Sequence, residues 1–150
     1  MNWKQWVLAA AAAFVLLLVT SFVIHGLLLS STYERLTGVF RETEKLAGKK
    51  WLLVVASLLY AGGFAYFYGY GAEAKPWAGQ GLRFGIGAAL AAWVPLALVS
   101  YVYFRIPYTV ALGWIVAGGV QFVLMGLAIA AVYRVPGAGA PAESGPASEA

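Results

Sequence analysis

The one histidine of this chain, His25, lies inside a run of 29 residues, Gln5 to Tyr33, that contains no Asp, Glu, Lys or Arg. Imidazole is the side chain whose unperturbed charge changes between pH 5 and 8, so a histidine in such surroundings can move a proton or contact a polar ligand. Ionisable side chains within apolar spans are functional candidates by default. Tyr101, Tyr103, Arg105, Tyr108 and Thr109 cluster near a second point of the sequence where two apolar runs meet. If both points lie at the same end of a helical bundle, His25, Tyr101, Tyr103, Arg105 and Tyr108 would close over a small polar, ligand-binding pocket. The plainer role for His25, with Ser21 one turn away, is a single hydrogen bond near a helix end.

Gln121 is the other polar group in the middle of an apolar run. Its amide offers two donors and a carbonyl that need partners. Such a side chain is usually interhelical glue and less often a substrate contact. Ser57, Tyr60 and Ser100 are the expected partners. Gly79-Gln80-Gly81-Leu82-Arg83-Phe84-Gly85 has a glycine-rich spacing, but no strand precedes it, and a dinucleotide fingerprint needs a strand–turn–helix setting. Close helix packing is the better account. Arg83 can reach back to headgroups or pair with Glu73.

Catalytic constellations are missing from the sequence. It has no H-E-x-x-H, no G-x-S-x-G, no P-loop and no paired carboxylates within the apolar runs. With no cysteine and a single histidine, a thiolate, haem or metal site within one chain is not expected. A non-enzymatic protein without a cofactor is the expectation.

The elements that must position these residues follow from charge. Four runs are free of Asp, Glu, Lys and Arg: Gln5 to Tyr33, Trp51 to Ala72, Phe84 to Phe104 and Ile106 to Tyr133. Together they hold 100 of 150 residues, and all sixteen charged residues lie outside them. A hydrocarbon core about 30 Å thick takes roughly 20 apolar residues of helix to cross. Lipid offers the backbone no partner, so each crossing must satisfy its own hydrogen bonds as a helix. The expected fold is an all-α bundle of four transmembrane helices, about residues 6–29, 51–70, 82–104 and 108–133. Residues 135–150, almost wholly Pro, Gly, Ala, Ser and Glu, read as a disordered tail.

Hydrophobic residues make up 62% of the chain, well above a soluble domain's share, and mean hydropathy is +0.78. A net charge of +4 could point to nucleic acid, but no basic face interleaved with aromatics exists outside the spans, so nucleic-acid binding is excluded. The first span is too long for a signal-peptide core and lacks a small-residue cleavage site, which reads as an uncleaved anchor.

Between the first two runs, Ser31 and Glu34 fit a capping box. Leu36, Val39, Phe40, Thr43 and Ala47 recur at helical spacing among charges, with Gly48 at the stop. A short surface helix or an irregular polar loop accounts for this segment. Gly62-Gly63 allows close approach or a bend in the second helix, and Tyr66, Phe67, Tyr68 and Tyr70 form a belt at its end. Residues 71–81 read as a turn-rich connection. Pro95 should kink the third helix. Gly81, Gly85 and Ala89 form one small-residue stripe, and Gly113, Ala117 and Gln121 share a face of the fourth helix; both are candidate packing surfaces. Lys and Arg number six on the side of the 30–50 loop and four on the side of the termini, which puts that loop in the cytoplasm and both termini outside.

In outline the chain looks like the small multidrug-resistance exporters. Those depend on a glutamate in the first helix, which this helix lacks. Asn2-Trp3, Phe14-Val15 in an Ala-rich first helix, a polar loop opening near Tyr33, Gly85 and Gly87, and Gly118 and Gly126 resemble a family of small bacterial four-helix membrane proteins of unknown function. That resemblance covers about residues 1–134 and implies a multi-pass protein of the bacterial inner membrane. Its expected partners are the lipid bilayer and further copies of itself or a larger membrane complex. The leading expectation is a non-enzymatic membrane protein that self-associates or serves as an accessory subunit, and a small-molecule or lipid carrier with a pocket near His25 is the alternative.

Overall fold

The computed structural model describes residues 1–36, 38–39 and 48–136. Among these there is no strand, and four helices are long and apolar enough to cross a membrane: Trp3–Leu28, Lys50–Gly71, Trp77–Tyr103 and Tyr108–Val132. The protein is an all-α, multi-pass membrane bundle. Span one comprises α1 (Trp3–Ser21) and a π-helical end (Phe22–Leu28). The short α2 (Ser30–Arg35) follows, and span two is the unbroken α3 (Lys50–Gly71). Span three joins α4 (Trp77–Ala88), a π-helical stretch (Ala89–Trp93) and α5 (Val94–Tyr103); span four is α6 (Tyr108–Val132).

Local chemistry sets the boundaries. The Asn2 side chain caps α1, accepting from the backbone N–H of Lys4 and Gln5 at 3.2 and 3.3 Å. Span three begins at Trp77, five residues before the glycine-based expectation. Pro76 at its N-cap ends the connection, and the Gln80 side chain ties the turn together: its Oε1 accepts from Glu73 N–H at 2.8 Å while its Nε2 donates to the carbonyls of Glu73 and Lys75 at 2.8 and 2.9 Å. Glycines at 79 and 81 therefore lie inside a helix, not in a loop. Pro95 has no N–H to offer the carbonyl of Ala91. The helix absorbs that loss by widening to π geometry just upstream, over Ala89–Trp93.

The expected capping box does not form. Helix α2 starts at Ser30, with Leu29 at its N-cap and no side-chain cap, and the Ser30 hydroxyl donates to Leu27 O at 3.2 Å. The remainder of the proposed surface helix, residues 40–47, and the tail beyond residue 136 lie outside the described residues.

The spans pack in the order two, one, four, three. Spans three and four meet backbone to backbone. A Cβ on Gly81 would lie 2.7 Å from the carbonyl oxygen of Gly126, and one on Gly85 would lie 2.7 Å from Phe122 O and Val123 Cα. No larger side chain fits either position without moving a helix. Span two closes the ring only at one end, through aromatics: Phe64 to Phe84 at 4.7 Å, Phe64 to Phe122 at 5.4 Å and Tyr68 to Phe84 at 5.3 Å between ring centroids. Tyr68, expected in an interfacial belt, is instead buried at 4% exposure against Phe84 and Tyr133. Trp6 is drawn inward too, its indole N–H donating to Gly62 O at 3.1 Å. The backbone N–H of Asn2 donates to the Tyr133 hydroxyl at 3.1 Å, latching the start of span one to the end of span four.

Candidate functional site

From Trp51 to Tyr60 every residue of span two except the half-buried Ser57 is exposed. This half of the helix stands away from the bundle and leaves a lateral cleft of about 700 Å³ between itself and span one. Leu17, Leu18, Ser21, Phe22, His25 and Gly26 form one wall. Lys50, Leu53, Ala56, Ser57 and Tyr60 form the other, and Trp93, Gln121 and Phe122 make the floor. The volume is in the range of small-molecule sites.

The floor is rigid for identifiable reasons. The nitrogen edge of the Trp93 indole lies against Gly118, where the added Cβ of any other residue would overlap it. Its N–H donates to Trp114 O at 2.7 Å, and its ring packs on Phe122 at 5.9 Å. The π-helical stretch that relieves Pro95 also aims Trp93 at this spot. Gln121, 6% exposed, donates through Nε2 to Thr20 Oγ1 at 2.6 Å, Ser21 Oγ at 3.1 Å and Leu17 O at 3.3 Å. Its partners thus all come from span one. Ser57, Tyr60 and Ser100 are not among them, and the Ser100 hydroxyl bonds its own helix at Leu96 O.

His25 sits in the π-helical turn near the cleft mouth. Its Nδ1 is 2.7 Å from the Tyr33 hydroxyl, which also accepts from the Trp114 indole N–H at 2.7 Å. The π turn closes through Leu29 N–H to Ile24 O at 2.9 Å, after which the chain bends so that Tyr33 returns beside His25. Burial pushes the Tyr33 hydroxyl above the usual tyrosine range, and the hydrogen bond from Trp114 partly opposes it. The proton stays on oxygen at neutral pH, so Tyr33 serves here as a neutral bridge.

The expected pocket of His25 with Tyr101, Tyr103, Arg105 and Tyr108 does not form. Tyr101 and Tyr108 meet each other edge to face at 6.5 Å, Tyr103 is 80% exposed, and Arg105 is exposed. None of these four side chains lines the cleft that His25 borders. Sequence reasoning missed Tyr33, Trp114, Trp93 and Thr20. The pairing of Trp93 with a glycine on span four had a faint signal in Gly118-Gly119; the return of Tyr33 had none.

The packing residues are placed as follows. Gly81 and Gly85 are buried against span four, and Ala89 lies in the same core. Gly113 faces Leu29, and Ala117 lines a smaller groove of about 220 Å³ between spans one and four, beside Thr20 and Gln121.

At the opposite end of the bundle Glu73, Lys75, Gln80 and Arg83 line a polar recess of about 330 Å³ with Tyr68 and Phe84. Glu73 is ion-paired with Lys75, which holds its carboxyl below the usual range, with a further contribution from Arg83. Arg83 donates to Gly79 O at 3.2 Å, and the Arg134 guanidinium lies 5.3 Å above the Trp77 ring. Each cation there already has a partner within the chain.

Among the described residues no group of three or more His, Cys, Asp or Glu is arranged to hold a metal ion. No protein-family model, curated protein or solved structure matches this chain.

Proposed function

We propose that this is a non-enzymatic protein of the bacterial inner membrane that holds the apolar chain of an amphiphile in its lateral cleft, as a lipid carrier or lipid-presenting subunit. The observation behind this reading is the cleft itself. It opens sideways at hydrocarbon depth and ends on Gln121 near the middle of span four. A bundle built only for mechanical assembly has no need of such a space. The small-residue stripe at Gly81 and Gly85, a natural surface for self-association, is already covered by span four of the same chain. The likeness to small bacterial four-helix membrane proteins agrees with this size and setting and adds no chemistry.

The test is photolabelling in proteoliposomes with a phosphatidylcholine that carries a diazirine on its acyl chain. Label should concentrate on the peptides spanning Leu17–Gly26 and Lys50–Tyr60. Ala56→Trp, which fills the cleft from an exposed position, should cut that label severalfold. Uniform labelling of all lipid-facing helices, insensitive to Ala56→Trp, would sink the reading. A second reading, an accessory subunit whose partner helix lies along span two, is favoured by the exposure of Trp51–Tyr60. It predicts a stable complex in mild detergent that Ala56→Trp disrupts.

A further inference from the structure

Lys50 stands at the mouth of the cleft and is exposed, beside the equally exposed Lys49. Neither has a carboxylate partner among the described residues, unlike Lys75 at the other end. From Lys50 to Tyr60 is ten residues of helix, about 15 Å at 1.5 Å per residue. That is half of a hydrocarbon core about 30 Å thick. The cleft therefore spans one leaflet, with cations at headgroup level and an aromatic–amide floor at the midplane.

Inside a bilayer the apolar walls give no selectivity of their own, because surrounding lipid tails are as apolar as the cleft. A space open to the hydrocarbon is filled by whichever chains the leaflet supplies. Preference must then arise where the environment is not hydrocarbon, at the mouth. The fixed features there are the Lys50 ammonium, Lys49 beside it, the imidazole of His25 on the facing wall, and the start of a 22-residue helix with no side-chain cap. The two lysines and the helix start all favour negative charge. Among the described residues no acidic side chain lines the cleft.

We propose that the cleft selects an anionic phospholipid, its phosphate held at Lys50 and one acyl chain laid along span two as far as Tyr60. This rests on the amphiphile-binding reading above and adds the class of headgroup. The polar groups lower in the cleft suit this occupant. At the floor the Gln121 Nε2 donors are taken up by Thr20, Ser21 and Leu17 of span one, so the chain's methyl end does not meet an open amide donor.

The full-length protein is tested in nanodiscs that contain phosphatidylglycerol and phosphatidylcholine with identical acyl chains, and retained lipid is counted by native mass spectrometry. Phosphatidylglycerol should be enriched about fivefold or more over its share in the disc, the magnitude expected of one lysine near a lipid surface. Lys50→Gln should remove the enrichment without lowering the total number of lipids retained. Ala56→Trp should lower both lipids together. Thermal unfolding of each variant serves as the fold control, and Lys50→Arg, which keeps the charge, should keep the preference. Equal retention of the two lipids by the wild-type chain, with Ala56→Trp still lowering both, overturns the headgroup assignment and leaves the cleft reading standing. An enrichment that survives Lys50→Gln also overturns it, by placing the selectivity on other cations. Failure of Ala56→Trp to change any retention overturns both.

Discussion

Gln121 ties span four to span one through one nitrogen. In a medium without water the alternatives to its bonds with Thr20 and Ser21 are unsatisfied donors, yet measured interhelical hydrogen bonds in membranes are worth only about 0.6–2 kcal/mol. Gln121→Leu should therefore destabilise the bundle by about 1 kcal/mol in detergent unfolding. Thr20→Val made in that background should cost less than it does alone, because the shared bond is already gone. Full additivity in that double-mutant cycle would show that the two side chains act independently. The need of Gln121 for a partner was legible from sequence, since a central amide in an apolar run must bond to something. Which partner was not legible. Helix spacing gives faces, and the choice between Ser57 on span two and Thr20 on span one depends on the order in which helices pack. The same gap explains His25. Its depth near a helix end was readable, whereas its bond to Tyr33 depends on a π-helical turn and a chain reversal that no residue pattern announced.

Elements were far more legible than contacts. The lengths of the four spans follow from charge alone, because a single buried charge is costly enough at hydrocarbon depth to bar it from a crossing. Seven of the eight span boundaries fall within about three residues of expectation, and the eighth, at Trp77, moved because a side chain closed the preceding turn. The stripe on span three shows how small residues earn their place: Gly81 and Gly85 let carbonyls of span four come as close as a side chain would otherwise stand. Gly85→Ala puts a Cβ 2.7 Å from both Phe122 O and Val123 Cα, and backbone cannot yield cheaply. It should cost on the order of 1–3 kcal/mol, and Gly85→Leu more. Gly87, whose added Cβ would meet nothing within 4 Å, is the control, and Gly87→Ala should leave the melting temperature unchanged. If Gly85→Ala melts with the wild-type chain, the backbone contact between spans three and four is not a source of stability.

At the scale of the whole molecule an even number of crossings leaves both termini on one side, and the bond from Asn2 to Tyr133 holds the two ends of the bundle together there. With six Lys and Arg on the side of the 30–50 loop against four on the side of the termini, the proposed orientation places that loop in the cytoplasm. In that orientation the cleft lies in the inner leaflet, whose cytoplasmic face carries the anionic lipids that Lys50 is proposed to select. A reporter fused after Ala150 should be active only outside the cytoplasm, and a cytoplasmic signal would reverse the orientation and put the cleft in the outer leaflet. The bundle is tight where spans three and four meet and open where span two leaves it, and that asymmetry has an optical consequence. Of the six tryptophans, Trp93 is the one on the cleft floor, clamped between Gly118 and Phe122 with its N–H bonded. Light absorbed by that indole is emitted from the deepest point that an acyl chain can reach. Lipids brominated near the chain terminus would dim it, and lipids brominated near the headgroup would leave it bright, so the protein holds its own gauge of how far a guest has entered.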